Sequence, residues 1–164
     1  MQDCPMDLHP DCGSLAFLLG TWKGQGQGSY PTIESFSYLE EVSFGHVGKP
    51  FLSYTQKTRH ADSGQPLHAE VGYLRAIGDD KVELVVAQPS GIVELHRGRI
   101  VGSTIELQLD GVHTTPTAKS VTDVQRRIRV EPDSQRLTYD VEMAAVGEPL
   151  THHLHAELTL QSSV

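Results

Sequence analysis

Apolar and polar side chains alternate along most of the chain after residue 30, the pattern of strands with one buried face. In the clearest case the residues on the apolar face are Phe36, Tyr38, Val42 and Phe44. Comparable runs, separated by Gly-, Pro- and Asp-containing turns, follow at 51–58, 67–74, 82–88, 92–100, 105–110, 119–130, 137–146 and about 150–160. Together with a Gly-rich first strand they make about ten strands, which predicts an antiparallel sandwich or an up-and-down barrel.

A barrel is favoured because no strand carries the features that protect a sheet edge, and ten strands leave room for an internal ligand cavity. Residues 14–19 form a short apolar segment with a serine N-cap, which predicts one or two helical turns. Residues 111–116 are expected to be a longer loop. We expect a loose leader over 1–13 and one domain over 14–164, an all-β fold with a short N-terminal helical turn.

The segment from residue 20 to 26 is unusual because glycine recurs at every second position around the single tryptophan. Its members are Gly20, Trp22, Gly24 and Gly26. Glycines on one face let another backbone, an aromatic ring or a flat ligand come close. The tryptophan suits the end of a barrel, where its ring is buried and its N–H reaches a carbonyl. The spacing is not that of a phosphate-binding loop.

The composition of the chain excludes several classes of binding partner. The 164 residues carry 13 Lys+Arg against 21 Asp+Glu, a net charge of −8, which argues against nucleic acid or an anionic membrane surface. No apolar run approaches a membrane helix, and the first residues do not form a signal peptide. Two cysteines, Cys4 and Cys12, lie in the leader and are no disulfide framework, although a bridge between them is not excluded by the sequence. A cytoplasmic location is expected.

The strongest polar cluster is the run of His152, His153 and His155 near the C-terminus. In a regular strand His153 and His155 share a face, which suits a zinc ion if a third ligand such as His68 or His113 is near, or they lie at a solvated strand end. Because Leu154 and the residues at 156, 158 and 160 form the apolar face, His153 reaches the interior only if the chain bends or bulges before Leu154.

Three further polar residues lie on a predicted strand or at the start of one. Gln88 shares the face of an apolar strand, which places it at a barrel mouth or inside a cavity. His68 and Lys119 lie at strand starts, where a solvated side chain is the simplest reading. The chain has no Gly-x-Ser-x-Gly motif and no cysteine in the expected core. Any enzymatic activity therefore needs a bound cofactor to supply the reactivity.

Taken in order, several short motifs resemble the nitrobindin family of haem-binding β-barrels, also described as peroxynitrite isomerases. The matching segments are 18–26 (LLGTWKGQG), 30–33 (YPTI), 38–41 (YLEE), 46–50 (HVGKP), 54–56 (YTQ), 67–73 (LHAEVGY), 87–91 (AQPSG) and 149–154 (PLTHHL). They span about residues 15–160, nearly the whole chain. The resemblance implies a ten-stranded antiparallel barrel, of the lipocalin and fatty-acid-binding-protein type, with one haem b at one mouth.

The resemblance also implies roles for individual residues. His153 corresponds to the axial ligand of the haem iron, through which the catalytic chemistry would run. Lys119 corresponds to a lysine near a haem propionate, and Thr32 lies at the haem edge. The remaining cofactor-binding positions, which line the family's cavity, are Leu67, His68, Gln88 and Met143. His152 and His155 are not required by the motif.

Two classes of function follow. By resemblance, the chain is a haem-dependent enzyme that converts peroxynitrite to nitrate at ferric haem and binds nitric oxide, in detoxification or sensing. Its partners would then be these small molecules, without nucleic acid or membrane, and it would act as a monomer or homodimer. The alternative is a carrier of a fatty acid or other small apolar ligand in the cavity.

Overall fold

The computed structural model of the chain describes residues 6–161 and shows a closed barrel of ten antiparallel strands. Each strand pairs with its neighbours in sequence, and the first pairs with the last, so this is an up-and-down barrel and not a sandwich. The strands are β1 (Gly20–Tyr30), β2 (Ile33–Gly45), β3 (Leu52–His60), β4 (Pro66–Ile77), β5 (Lys81–Gln88), β6 (Ile92–Val101), β7 (Thr104–Thr114), β8 (Val121–Glu131), β9 (Arg136–Ala145) and β10 (Thr151–Leu160).

A 3₁₀ helix, Pro10–Leu18, precedes the barrel, and a second one, Pro132–Ser134, joins β8 to β9. The first helix begins four residues before the predicted turn, because His9 accepts from the Asp11 N–H through its side chain and Pro10 fits the first helical position. It includes part of the expected leader, and Cys12 is buried as a free thiol. Cys4 lies outside the described residues. No helix within 6–161 is long and apolar enough to cross a membrane.

The tryptophan and the glycines of β1 do what their pattern predicts. Trp22 is buried, and its indole N–H donates to the Leu18 carbonyl over 2.8 Å, which fixes the helix across one end of the barrel. A Cβ on Gly24 would overlap the Glu157 carbonyl of β10, so the close approach there is between backbones. A Cβ on Gly26 would overlap the Tyr38 ring. The glycine face therefore serves packing within the barrel.

One predicted boundary is wrong. Residues 111–114 belong to β7 instead of the expected loop over 111–116. The pairing of β6 with β7 shifts between Leu95 and His96, and the extra residue on β7 breaks the alternation of the sequence at that point. The strand continues beyond this bulge and lengthens the barrel wall on the side of the β7–β8 connection.

The topology gives the barrel two different ends. Alternate connections of an up-and-down barrel lie at the same end, so the helix and the β2–β3 connection share one end. The other end carries the β1–β2, β3–β4, β5–β6, β7–β8 and β9–β10 connections. The larger apolar core cluster fills the helix end, around Trp22, Leu15 and Leu18. A smaller cluster around Tyr30 and Val124 lies toward the opposite end, which is open.

Candidate functional site

The open end of the barrel leads into a cavity of about 410 Å³, within the usual range for small-molecule sites. Its outer part is mainly apolar and includes Ile33, Phe36, Leu67, Met143 and Leu154. Its inner part is polar and buried. The two parts have different chemistry.

The main feature of the outer part is a β-bulge in β10 that turns one histidine inward. In the pairing of β10 with β9, His152 lies opposite Glu142 and Leu154 opposite Val141, so His153 is the extra residue between them. His153 lines the cavity together with Leu154. The predicted irregular backbone before Leu154 is therefore confirmed.

A second irregularity, in β1, holds the His153 ring in place. The pairing of β1 with β2 shifts between Gly28 and Tyr30, and the Ser29 carbonyl oxygen lies 3.1 Å from His153 Nδ1. A carbonyl oxygen only accepts, so Nδ1 carries the proton and Nε2 keeps its lone pair. Burial lowers the pKa of His153, although the bond to Ser29 acts in the opposite direction, and the ring is held neutral.

Tyr30 supports the same histidine from the side. Its ring meets the His153 ring edge-on, with centroids 5.3 Å apart and an interplanar angle of 72°. Its hydroxyl accepts from the Ala145 backbone N–H over 2.8 Å and lies 3.1 Å from the Met143 carbonyl oxygen, to which it donates. The imidazole is thus fixed by β1 and indirectly by the end of β9.

The other two histidines of the run lie on the outer surface. His152 is exposed, and His155 Nδ1 is 2.7 Å from Asp140 on the neighbouring strand. Because the bulge separates His153 from His155, the zinc site considered from the sequence is wrong. No group of three or more potential ligands within 6–161 is arranged to hold a metal ion, and His113 is exposed on β7.

The remaining residues implied by the resemblance fall into two groups. Four of them line the cavity: Leu67, His68, Gln88 and Met143. Thr32 and Lys119 do not; both are exposed and lie in the β1–β2 and β7–β8 connections. These connections are at the open end, so the fold brings both residues to the rim of the cavity. Their roles stay predictions.

The inner part of the cavity holds a buried cluster that the sequence reasoning missed. We call Glu40, Gln56, Glu70, Glu94 and Arg126 the inner cluster; all but Glu40 line the cavity, and Glu40 is hydrogen-bonded to Gln56. Arg126 binds Glu70 through both terminal nitrogens, at 2.8 and 2.9 Å, and reaches Glu94 at 2.7 Å. One guanidinium therefore joins carboxylates from two other strands across the barrel.

Further side chains complete the bonding of these carboxylates. Glu70 accepts from the Tyr54 hydroxyl at 2.8 Å and lies 3.4 Å from His68 Nε2. Glu94 accepts from Gln88 at 2.8 Å and lies 2.8 Å from His96 Nε2. Two predicted cavity residues, His68 and Gln88, therefore also orient the inner cluster.

Glu40 forms a separate branch of the same cluster, away from the guanidinium. Its two oxygens accept from Gln56 Nε2 at 2.9 Å and from the Tyr139 hydroxyl at 2.6 Å. The Tyr139 hydroxyl is in turn 2.8 Å from that of Tyr38. No lysine or arginine within residues 6–161 is bonded to Glu40.

Because the Arg126 guanidinium contacts Glu70 and Glu94 but not Glu40, the three carboxyl groups of the inner cluster differ in acidity. Burial raises the pKa of Glu40 to about 7; the charge of Glu70 adds to the rise, and the bonds from Tyr139 and Gln56 oppose it. Burial also acts against ionisation of Glu70, but Arg126 outweighs it and holds the Glu70 pKa well below its ordinary value. The pKa of Glu94 is lowered despite burial, chiefly by His96 and Arg126.

The alternation of inward and outward positions along the strands contained a signal for these charged residues. Glu40 lies between Tyr38 and Val42 at inward positions of β2, and Arg126 lies between Val124 and Ile128 on β8. Glu40 and Glu41 do face opposite sides, as adjacent residues of a strand must, so one of the two points into the barrel. A charged residue at an inward position needs a partner, and the partners were not visible.

The outer part fits a haem with one protein ligand. His153 lines an apolar chamber with its Nδ1 proton bound to Ser29 and its Nε2 lone pair unused, and a single neutral imidazole of this kind is a common protein ligand of haem iron. His153 would supply that nitrogen, and Ser29 and Tyr30 would hold the ring. The apolar side chains at the mouth match the apolar body of a porphyrin.

Comparison with known proteins agrees with this fold and with a haem-binding barrel. Residues 11–159 match the family described as the THAP4-like, heme-binding beta-barrel domain. The chain is 54% identical to peroxynitrite isomerase 2 of Mycobacterium avium, over 96% of this chain and 99% of that one. It is also 54% identical to the peroxynitrite isomerase of Nocardia farcinica, over 92% and 91%. The crystal structure of Rv2717c from M. tuberculosis has a TM-score of 0.88 and 50% identity, over 95% of this chain and 100% of that one. The chain therefore belongs to the nitrobindin family of haem-binding β-barrels.

Proposed function

We propose that this chain binds one haem b at the open end of the barrel through His153 and converts peroxynitrite to nitrate. The observation that carries the proposal is the bulge in β10, which turns His153 alone of its run into the cavity with Nε2 unprotonated. Relatives covering nearly the whole chain bear the name peroxynitrite isomerase, which supports the choice of reaction. Haem, when bound, would supply the iron chemistry for peroxynitrite isomerisation and for nitric oxide binding.

The residues of the chain contribute binding, orientation and exclusion of water. His153 would provide one nitrogen ligand to the haem iron. The apolar outer part of the cavity, lined by Phe36 and Leu154 among others, would keep bulk water away from the bound group. Lys119 at the rim would pair with a propionate, and Thr32 would lie at the porphyrin edge. We expect a cytoplasmic monomer or homodimer.

The alternative of a fatty-acid carrier has less support from the cavity. A buried carboxylate head group needs a cationic partner. Arg126 is the one arginine or lysine among the cavity-lining residues within 6–161, and Glu70 and Glu94 already neutralise it. A fatty acid would therefore have to place its carboxylate at the rim and not in the depth of the cavity.

Replacing three histidines separately tests the assignment. The variants are His153→Ala, His152→Ala and His155→Ala, each titrated with haemin while the Soret band is recorded. We expect only His153→Ala to lose five-coordinate ferric haem and peroxynitrite isomerisation, because only this side chain lines the cavity. His152→Ala and His155→Ala are the matched controls on the outer surface.

The result that would overturn the proposal is equally specific. Loss of the five-coordinate spectrum in His155→Ala with its retention in His153→Ala would show that β10 presents the other face to the haem. A full-length chain that takes up no haem at all would favour the carrier function instead.

A further inference from the structure

Two tyrosines of the cavity wall donate to buried carboxylates that differ as bases. Tyr139 and Tyr54 both line the cavity. The Tyr139 hydroxyl donates to Glu40 over 2.6 Å, and the Tyr54 hydroxyl donates to Glu70 over 2.8 Å. Arg126 neutralises Glu70 through both terminal nitrogens, whereas no lysine or arginine within residues 6–161 is bonded to Glu40. A carboxylate held by a guanidinium is the weaker base, so Glu40 accepts a proton more readily than Glu70.

The pKa of Glu40 suits the transfer of a proton from Tyr139. Burial raises this pKa to about 7, so near neutral pH the carboxylate is present and the protonated acid is also stable. Arg126 holds the pKa of Glu70 well below its ordinary value. A phenol gives up an electron readily only when its proton leaves as well, because an oxidised phenol that keeps its proton is a very strong acid. Tyr139 therefore has the acceptor that oxidation needs, and Tyr54 does not.

We propose that Tyr139 is an oxidation and nitration site inside the barrel, at which nitrogen dioxide removes one electron while the phenol proton passes to Glu40. The Tyr139 O–H bond breaks, Glu40 Oε2 takes the proton, and nitrogen dioxide is reduced to nitrite. The Tyr38 hydroxyl, 2.8 Å away, donates to the phenoxyl oxygen that is left. A second nitrogen dioxide then forms a C–N bond to the ring carbon beside that oxygen. Loss of the proton from this carbon yields 3-nitrotyrosine.

Nitrogen dioxide is the oxidant that fits the charge of the inner cluster. It is small and neutral, so the three carboxyl groups opposed by one guanidinium do not repel it as they repel an anion. Homolysis of the O–O bond of peroxynitrite releases nitrogen dioxide. This supply of the oxidant rests on the proposed function, but the reactivity of Tyr139 toward nitrogen dioxide does not.

The first arm of the test exposes the full-length chain without haem to nitrogen dioxide generated in solution, and peptide mass spectrometry locates the nitro groups. All five tyrosines lie within residues 6–161. Tyr73 is exposed on the outer surface and reports the dose of radical. We expect about tenfold more nitration at Tyr139 than at Tyr54, because only Tyr139 has a positioned base. Equal nitration of these two residues would overturn the proposal.

Glu40→Gln separates the role of the base from the exposure of the ring. The variant keeps the size of the side chain, and its carbonyl oxygen still accepts from Tyr139, but an amide does not take up the proton. Glu41→Gln is the matched control, since Glu41 faces outward and pairs with Lys23 at 2.9 Å. We expect Glu40→Gln to lower the nitration of Tyr139 relative to Tyr73 by about tenfold, and Glu41→Gln to leave it unchanged. Equal nitration of Tyr139 in the two variants would refute the role of Glu40.

The second arm distinguishes this inference from the proposed function. The chain is loaded with haemin, the Soret band is recorded, and peroxynitrite replaces nitrogen dioxide, with free tyrosine in excess to intercept radicals in bulk solvent. We expect the ratio of nitration at Tyr139 to that at Tyr73 to rise above its value in the first arm, because the oxidant is released inside the cavity. A chain that takes up no haem would overturn the proposed function alone. A lack of preference for Tyr139 in the first arm would overturn the oxidation site alone.

Discussion

Replacing Glu40 by glutamine should change the way in which the stability of the barrel depends on pH. Glu40 is 4% exposed, and the substitution keeps the size and shape of its side chain while removing its charge. Glutamine can still accept from Tyr139 through its carbonyl oxygen. The variant therefore isolates the free energy of ionising one carboxyl group inside the barrel.

The magnitude follows from the pKa. Glu40 rises from 4.5 to about 7 on folding. At about 1.4 kcal/mol per pKa unit, the shift corresponds to about 3 kcal/mol. Because the folded state holds this proton more tightly than the unfolded state, the free energy of unfolding falls as the pH rises from about 4.5 to about 7. The cost is absent below this window and complete above it.

Other groups in the cavity do not obscure the effect. The pKa values of Glu70 and Glu94 are lowered, so their stabilisation is already present above their unfolded values and is lost only in acid. The lowered pKa of His153 adds stability as the pH rises toward 6.5. His153 is present in both proteins, so its contribution cancels in the difference between wild type and variant.

The assay is urea unfolding of wild type, Glu40→Gln and the outward control Glu41→Gln at several pH values between about 5 and 8. We expect the stability of Glu40→Gln relative to wild type to increase by up to about 3 kcal/mol across this range. A difference that stays constant with pH would refute the reasoning, since Glu40 would then have an ordinary pKa in the folded barrel.

Three further outcomes are expected. Gly24→Ala should lower the free energy of unfolding by about 1–3 kcal/mol, because the added Cβ would overlap the β10 backbone. Gly13→Ala is the control, since a Cβ there meets open space and should change the free energy of unfolding little; urea unfolding compares the two variants. Arg126→Met should lower the free energy of unfolding by about 3–5 kcal/mol at neutral pH, because it leaves two buried carboxylates unpaired. The outward-facing Arg127→Met is the control, and equal losses of stability in the two variants would contradict the role of the inner cluster. Lys119→Ala should weaken haem retention by less than about fivefold and leave the Soret spectrum unchanged; a lost Soret band would show a different role for this lysine.

Most of the fold could be predicted because its signals are local. The period of two along each strand and the turn residues between strands identify ten strands and their antiparallel order without knowledge of any contact. The Trp22 contact with Leu18 was within reach for the same reason, since the two residues are four apart. The boundary at residue 111 was missed because a bulge interrupts the period there.

The same distinction between local and long-range signals applies to the candidate site. The position of His153 followed from a local conflict: its motif required it to face inward, while the alternation of Leu154 and Ala156 required it to face outward, and a bulge satisfies both. The inner cluster had no local signal of this kind. Arg126 and Glu70 are 56 residues apart, and only the closed barrel brings them together.

The two parts of the cavity have electrostatic properties that complement each other under the proposed function. Haem propionates, peroxynitrite and nitrate are all anions. The inner cluster, with three carboxyl groups and one guanidinium, opposes the entry of each of them into the depth of the barrel. The apolar edge of a porphyrin carries no such charge and is free to point inward. The inner cluster would therefore set the direction of the haem, with its propionates at the rim near Lys119, and would direct a nitrate product outward to solvent. The buried carboxylates, which take no part in ligating a metal, would then determine which way the bound group and its product face.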